Sequence, residues 1–186
     1  MKKSVRLPKN IWVRRFLLIL MAGISLSLSR SPRQHIRILK SIPKEWGKFE
    51  KSHIYRLSDS LKKKGYVDHR NLKDGEVRIE ITDKGRKYFN RLELEDMILP
   101  TKNIWDNKWR LILFDIPETR RRGRDALRKK LKELGCCEVQ KSIFAWPYDC
   151  RKEINFIVDV FNLENYVIYA EAILDSDSRI RKFFSI

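Results

Sequence analysis

Residues 51–81 read KSHIYRLSDSLKKKGYVDHRNLKDGEVRIEI, and a change of period inside this stretch decides the fold of the N-terminal half. Ile54, Leu57 and Leu61 recur at helical spacing, so a helix is predicted from Ser52, or the residues just before it, through Lys64, with Gly65 as its stop. Beyond Gly65, in Glu76-Val77-Arg78-Ile79-Glu80-Ile81, apolar residues alternate with charged ones, the mark of a half-buried strand. Asp74-Gly75 is a strong hairpin-turn signal joining that strand to Tyr66-Val67-Asp68-His69-Arg70. A helix running into a two-stranded hairpin with a basic tip is predicted.

Toward the N-terminus, Ile11 to Leu28 reads as a mostly apolar helix and Ser29-Arg30-Ser31-Pro32 as a break. Ser31 as N-cap and Pro32 at the first helical position open a short helix carrying Ile36, Ile38, Leu39 and Ile42. Lys44 to Glu50 connects it to the next helix, with Trp46 and Phe49 available to plug the core. Three helices followed by a hairpin is the order of a winged helix-turn-helix, assigned to residues 11–97. Asp83 to Met97 supplies a further helix, and residues 98–107, where Pro100 opposes helix continuation, form a linker.

Phe16 to Leu28 has a second reading. This 13-residue run follows Arg14 and Arg15 and ends near Ser27-Leu28-Ser29, as in a signal peptide. It is too short for a membrane-spanning helix, which needs about 20 residues. A buried first helix in a cytoplasmic protein with no membrane partner is the preferred reading.

Composition narrows the partners. The 186 residues carry 41 Lys+Arg against 24 Asp+Glu, a formal charge of +17, and 42% are apolar, enough for a core. Such a surplus favours an extended polyanion, nucleic acid ahead of an anionic membrane, because each phosphate contact releases a counterion. Residues 1–105 hold 25 basic and 11 acidic side chains, residues 106–186 hold 16 and 13, so the polyanion site belongs to the first half. On the predicted third helix the positions left exposed are Lys51, Ser52, His53, Arg56, Ser60 and Lys63, donors for phosphates and base edges; Ser52, His53 and Arg56 are the predicted base readers. Arg70, Asn71 and Lys73 on the wing are placed to reach phosphates. For any one of these residues an ordinary solvated face is the competing reading.

Cys136, Cys137 and Cys150 are odd in number, and with only His35, His53 and His69 they match neither a disulfide framework nor a zinc site. The second half is α/β by pattern. Trp109 to Phe114 is a buried-type strand, Glu118 to Leu134 a helix stopped by Gly135, and Val139 to Trp146 strand material. Cys150 to Phe161 follows as a helix and Tyr166 to Ile173 as a strand. The overall class is α+β, with a ferredoxin-like β-α-β-β-α-β domain at residues 108–186. Its two helices cover one sheet face, and a second copy is expected to cover the other, giving a homodimer. Trp105, Trp109, Trp146, Phe144 and Tyr148 read as packing in preference to a base-stacking platform. Arg120, Arg121, Arg122 and Arg124 open a helix against its dipole, which calls for an acidic partner or a phosphate, with a solvated face as the equal alternative.

Trp109-Arg110-Leu111-Ile112-Leu113-Phe114-Asp115-Ile116-Pro117-Glu118, Arg124-Asp125-Ala126-Leu127-Arg128, Leu134-Gly135, Gln140-Lys141-Ser142-Ile143-Phe144 and Pro147-Tyr148 resemble the central domain of PaaX-type transcriptional repressors. Ser31-Pro32-Arg33, Leu61 to Tyr66 and Thr82-Asp83-Lys84-Gly85 resemble their winged-helix portion, so the resemblance spans roughly residues 11–186. That central domain is itself similar to CRISPR-associated protein 2, a small dimeric ferredoxin-like protein known as a metal-dependent nuclease and as a scaffold in spacer integration. The resemblance matches Asp115 to that family's strand-end aspartate, where one carboxylate from each subunit holds Mg²⁺, and Ser142 and Phe144 to its later Ser-x-Phe strand. PaaX-type repressors carry a further C-terminal domain; this sequence stops at Ile186, so their acyl-coenzyme A response is not expected and any effector is left open.

The expectation is a homodimeric, sequence-specific regulator, a repressor by resemblance, that occupies a pseudo-palindromic stretch of double-stranded DNA and needs no cofactor. Asp115 carries the rival reading, a Mg²⁺-dependent endonuclease, for which helix-dipole placement of a strand-end carboxylate is the bland alternative. A nucleic-acid scaffold of CRISPR type is the third.

Overall fold

The computed structural model describes residues 10–21, 26–29, 51–71, 76–101 and 104–186, and the chain divides into two compact units after Glu95. In the first, α1 is Asn10–Met21, β1 Leu26–Ser29, α2 Lys51–Lys63, β2 Val67–Asn71, β3 Glu76–Ile81 and α3 Asp83–Glu95. The three strands form an antiparallel sheet in the order β1-β3-β2. The predicted short helix at 32–42 and the connector at 44–50 lie outside the described residues.

One expectation is corrected. The apolar run predicted as a single helix to Leu28 divides: its first part is α1, and Leu26–Ser29 is a strand whose Leu26 and Leu28 stand opposite Ile79 and Val77. The Leu-Ser alternation has period two, which a helix cannot place on one face. The strands β2 and β3 are therefore part of a three-stranded sheet. Phe16, Leu17, Ile19 and Leu20 are buried against Leu61, Val67, Ile79 and Phe89, so the first part of the segment with signal-peptide features lies in the core of this unit. Each such buried side chain contributes about 1.5–3 kcal/mol. No helix among the described residues is long and apolar enough to cross a membrane.

One corner holds the unit together. Gly65, at φ +72°, follows α2, its N–H donates to Lys62 O at 2.8 Å and the Tyr66 N–H to Leu61 O at 2.9 Å, the paired bonds that end a helix on a left-handed residue. The Thr82 hydroxyl donates to Gly65 O at 2.7 Å and accepts the Gly85 N–H at 3.0 Å, so one side chain ties the end of α2 to the start of α3. The backbones come so close here that a Cβ on Gly85 would collide with Tyr66 O and stand 2.8 Å from Ile81 Cγ1.

The second unit contains β4 Trp109–Phe114, a 3₁₀ turn at Glu118–Arg120, α4 Arg121–Glu133, β5 Cys137–Gln140, β6 Ile143–Trp146, α5 Arg151–Phe161, a 3₁₀ turn at Glu164–Tyr166, β7 Val167–Ala172 and α6 Ser178–Phe184. The antiparallel sheet runs β5-β6-β4-β7, with an irregularity between Glu138 and Gln140. Leu127, Leu131, Ile154, Ile157 and Val158 of α4 and α5 are buried, as are Ile112, Phe114 and Phe144. On the opposite face Trp109, Cys137 and Ala145 cluster with Ile180 of α6, with Leu111 and Phe184 packed beside them. Sequence periodicity did not indicate α6. The face expected to await a second copy is thus covered in part by the chain itself.

Gly85→Ala is expected to destabilise the first unit by about 1–3 kcal/mol or more, the range for overpacking against fixed backbone. Urea unfolding of the full chain followed by circular dichroism measures it; an unchanged midpoint for the first unit refutes this account of the corner.

Candidate nucleic-acid interface

Helix α2 presents two unlike sides. Ser58 and Leu61 are buried and Leu57 half-buried, whereas Arg56, Asp59, Ser60, Lys62, Lys63 and Lys64 just beyond the helix are exposed. Three predicted contact residues, Arg56, Ser60 and Lys63, therefore lie on the solvent side of one helix, with Lys51, Ser52 and His53 on its first turn, where the structure describes the backbone alone. Arg70 is exposed on β2 and pairs with Glu80 at 3.1 Å. Asn71 ends β2, and Lys73 lies outside the described residues.

Charge on the hairpin is arranged across strands. Arg70 stands opposite Arg78 and Asp68 opposite Glu80, two like-charge pairs that alone are unfavourable. The diagonal Arg70–Glu80 contact relieves both. The described charges on the sheet are consequently nearly balanced, and among the described residues the helices carry exposed Arg56, Lys62 and Lys63 on α2 and Lys84, Arg86, Lys87 and Arg91 on α3. Of these, Lys84 donates to Lys64 O at 2.8 Å and lies over the Tyr66 ring, and Arg91 pairs with Glu95 at 3.3 Å.

Sequence periodicity missed one contact at the centre of this surface. Ser58, a hydroxyl at 0% exposure, has its Oγ 2.7 Å from His69 Nε2, linking α2 to β2. Burial of the imidazole, then the Lys62 ammonium, push the His69 pKa below its ordinary 6.5, against the opposing pull of Asp59 and Asp68. No local pattern marks such a pair, because Ser58 belongs to a helical period and His69 to a strand period.

In the second unit Asp115 follows β4 on the surface, its N–H donating to Tyr166 O at 3.0 Å. Its carboxylate has no hydrogen-bond or ion-pair partner among the described residues. It edges an open depression of about 740 Å³ whose lining includes Leu113, Ile143 and Ile168, with Gln140, Ser142 and Tyr166 supplying polar groups. Among the described residues no three His, Cys, Asp or Glu side chains converge to hold a metal. One carboxylate per chain does not fit a Mg²⁺ site by itself; a second copy would have to supply another.

The predicted arginine cluster has acidic partners within the chain. Arg124 bonds Glu118 at 2.9 Å, and Arg121 lies 3.6 Å from both Glu118 and Asp125. Arg120 donates to Asn162 O at 2.8 Å and sits over the Tyr166 ring, while Arg122 is exposed. The demand set by four arginines at a helix start is met in part internally. Another arginine, given no role by the sequence, is buried: Arg110, 6% exposed, donates from both terminal nitrogens to Asp106 at 2.6 and 2.7 Å and to the carbonyls of Lys108 and Pro147. These hydrogen bonds hold the Asp106 carboxyl well below the usual carboxylate range.

Cys136, Cys137 and Cys150 are free and buried; burial pushes the Cys150 thiol up to about 12, so it is not a thiolate nucleophile near neutrality. Trp109, Phe144 and Trp146 are buried and Trp105 and Tyr148 half-buried, which is packing.

None of the curated proteins compared with the chain matches it. Residues 102–181 match the family described as the PaaX protein central Cas2-like domain. The match falls on the second unit, whose helix-covered antiparallel sheet is thereby similar to the PaaX-type central domain.

Proposed function

We propose that the protein is a DNA-binding transcriptional regulator, its first unit a winged helix-turn-helix reader and its second a ferredoxin-like module that pairs two copies. The observation that carries this reading is α2, which buries Ser58 and Leu61 against the unit and leaves Arg56, Ser60 and Lys63 facing solvent beside an antiparallel hairpin. A helix so presented can enter the major groove with its first turn toward base edges. The surplus of basic side chains in the same half supports a phosphate-contacting role, and the match to the PaaX-type central domain supports regulation, with repression as the family's usual sense. Wing contacts from Arg70, Asn71 and Lys73 complete the reading; Arg70 would exchange its Glu80 partner for a phosphate.

Pairing is assigned to the part of the second sheet face that α6 leaves uncovered. Leu113 stands opposite Ile143 on one side and Ile168 on the other, and Ile168 is 67% exposed. Apolar side chains in one row across three strands, Ile168 exposed and Leu113 and Ile143 half-buried, favour burial against a copy of themselves. A two-fold axis there would give two readers for a pseudo-palindromic operator. It would also bring two Asp115 carboxylates toward each other, and this exposed, unpartnered carboxylate favours the rival reading of a Mg²⁺-dependent nuclease.

Binding to operator fragments recovered by genomic footprinting tests the main reading. Arg56→Ala is expected to lose about 1–3 kcal/mol at the specific site. Equal weak binding to every duplex argues against sequence-specific regulation. Ile168→Lys is expected to convert a dimer to a monomer in sedimentation equilibrium with little change in folding; a dimer that persists moves the pairing surface elsewhere. With DNA or RNA and Mg²⁺ or Mn²⁺, no cleavage is expected from wild type. Cleavage that disappears in Asp115→Ala establishes the rival.

A further inference from the structure

His69 occupies the valley between α2 and β2. Its ring is half-buried, its Nε2 lies 2.7 Å from the fully buried Ser58 Oγ, and the residue opposite it on β3 is apolar Ile79. The charged groups around it are Asp59 and Lys62 from α2 and Asp68 and Arg70 beside it on β2, with Arg78 and Glu80 flanking Ile79 on β3. Asp68 is engaged in accepting the His69 backbone N–H at 2.8 Å, and Glu80 is paired with Arg70.

We propose that His69 is a positioning residue of the DNA-binding surface that takes up a proton when a duplex binds, an inference resting on the reading of α2 and the wing as that surface. The geometry permits a charge change without loss of the link. A neutral ring protonated on Nδ1 accepts the Ser58 hydroxyl at Nε2, and an imidazolium donates its Nε2–H to Ser58 Oγ. In the free protein, burial and the Lys62 ammonium favour the neutral ring. Phosphates drawn to Lys62 cancel that repulsion and themselves favour the imidazolium.

The sign follows from linkage. The His69 pKa lies below 6.5 in the free protein and rises in the complex, so affinity is greatest below both values and falls as pH rises through them. Lysine and arginine do not titrate in this range, and carboxylates titrate below it.

The test uses the full chain and a mixed-sequence DNA duplex about three helical turns long at fixed low salt. The wild-type dissociation constant is expected to be about three- to tenfold lower near pH 6 than near pH 8. That slope should largely vanish in His69→Gln. Calorimetry in buffers of different ionisation enthalpy should register proton uptake on binding. If His69→Gln does not fold, the His69 ring proton resonance of wild type decides: a titration midpoint that rises with duplex supports the proposal, and an unmoved one overturns it. A pH slope that survives in a folded His69→Gln, or wild-type binding without proton uptake, also overturns it while leaving DNA binding intact. Failure to bind any duplex at any pH overturns both.

Discussion

The first unit depends on how the end of α2, the root of the hairpin and the start of α3 share one corner. Thr82 donates to the last turn's Gly65 carbonyl and accepts from Gly85, and the Thr82 N–H donates to Tyr66 O at 3.1 Å. Because Gly85 has no side chain, the α3 backbone can approach Tyr66 more closely than any other residue would allow. Tyr66 then stacks on Tyr88, ring centroids 4.3 Å apart, and Lys84 reaches back to cap Lys64 O. These contacts set the axis of α2 relative to the hairpin, and so which of its side chains face solvent. They also place His69 beside Ser58, since β2 starts directly from this corner.

The second unit solves a different problem, the covering of a four-stranded sheet on both faces. Two helices cover one face with aliphatic side chains. The other face is shared between α6, which brings Ile180 and Phe184 onto Trp109, and the partly exposed row at Leu113, Ile143 and Ile168. Asp177 anchors α6 by accepting the Trp109 indole N–H at 2.8 Å and pairing with Arg181. A short helix held this way limits any partner to the far end of the face, next to Asp115.

Charge is allocated differently in the two units. Arg121 and Arg124 at the start of α4 are occupied by Glu118 and Asp125, Arg120 just before it by a backbone carbonyl, and Arg110 by Asp106. Many exposed lysines of the first unit have no acidic partner among the described residues, Lys62, Lys63 and Lys87 among them. Exposed ion pairs contribute little to stability, so this difference bears on partners more than on folding. Cations without acidic partners are what counterion release on a polyanion needs, which supports the proposed DNA-binding role of this unit.

Much of this was legible locally. The helical period of Leu57 and Leu61, the stops at Gly65 and Gly135 and the alternation of Glu76–Ile81 each act over a few residues, and the elements they predict are present; the Asp-Gly turn signal falls outside the described residues. The exposed side of α2 followed from the same period. What only the tertiary structure decided involves partners distant in the chain. Leu26–Ser29 is a strand because β3 supplies its hydrogen bonds, Ser58 is buried because His69 can satisfy it, and α6 forms over a face created by Trp109, Cys137 and Ala145. Local periodicity records which side of an element is apolar. Which surface will lie against that side depends on contacts between segments that no short window contains, and those contacts choose between helix and strand when a run is apolar enough to serve as either.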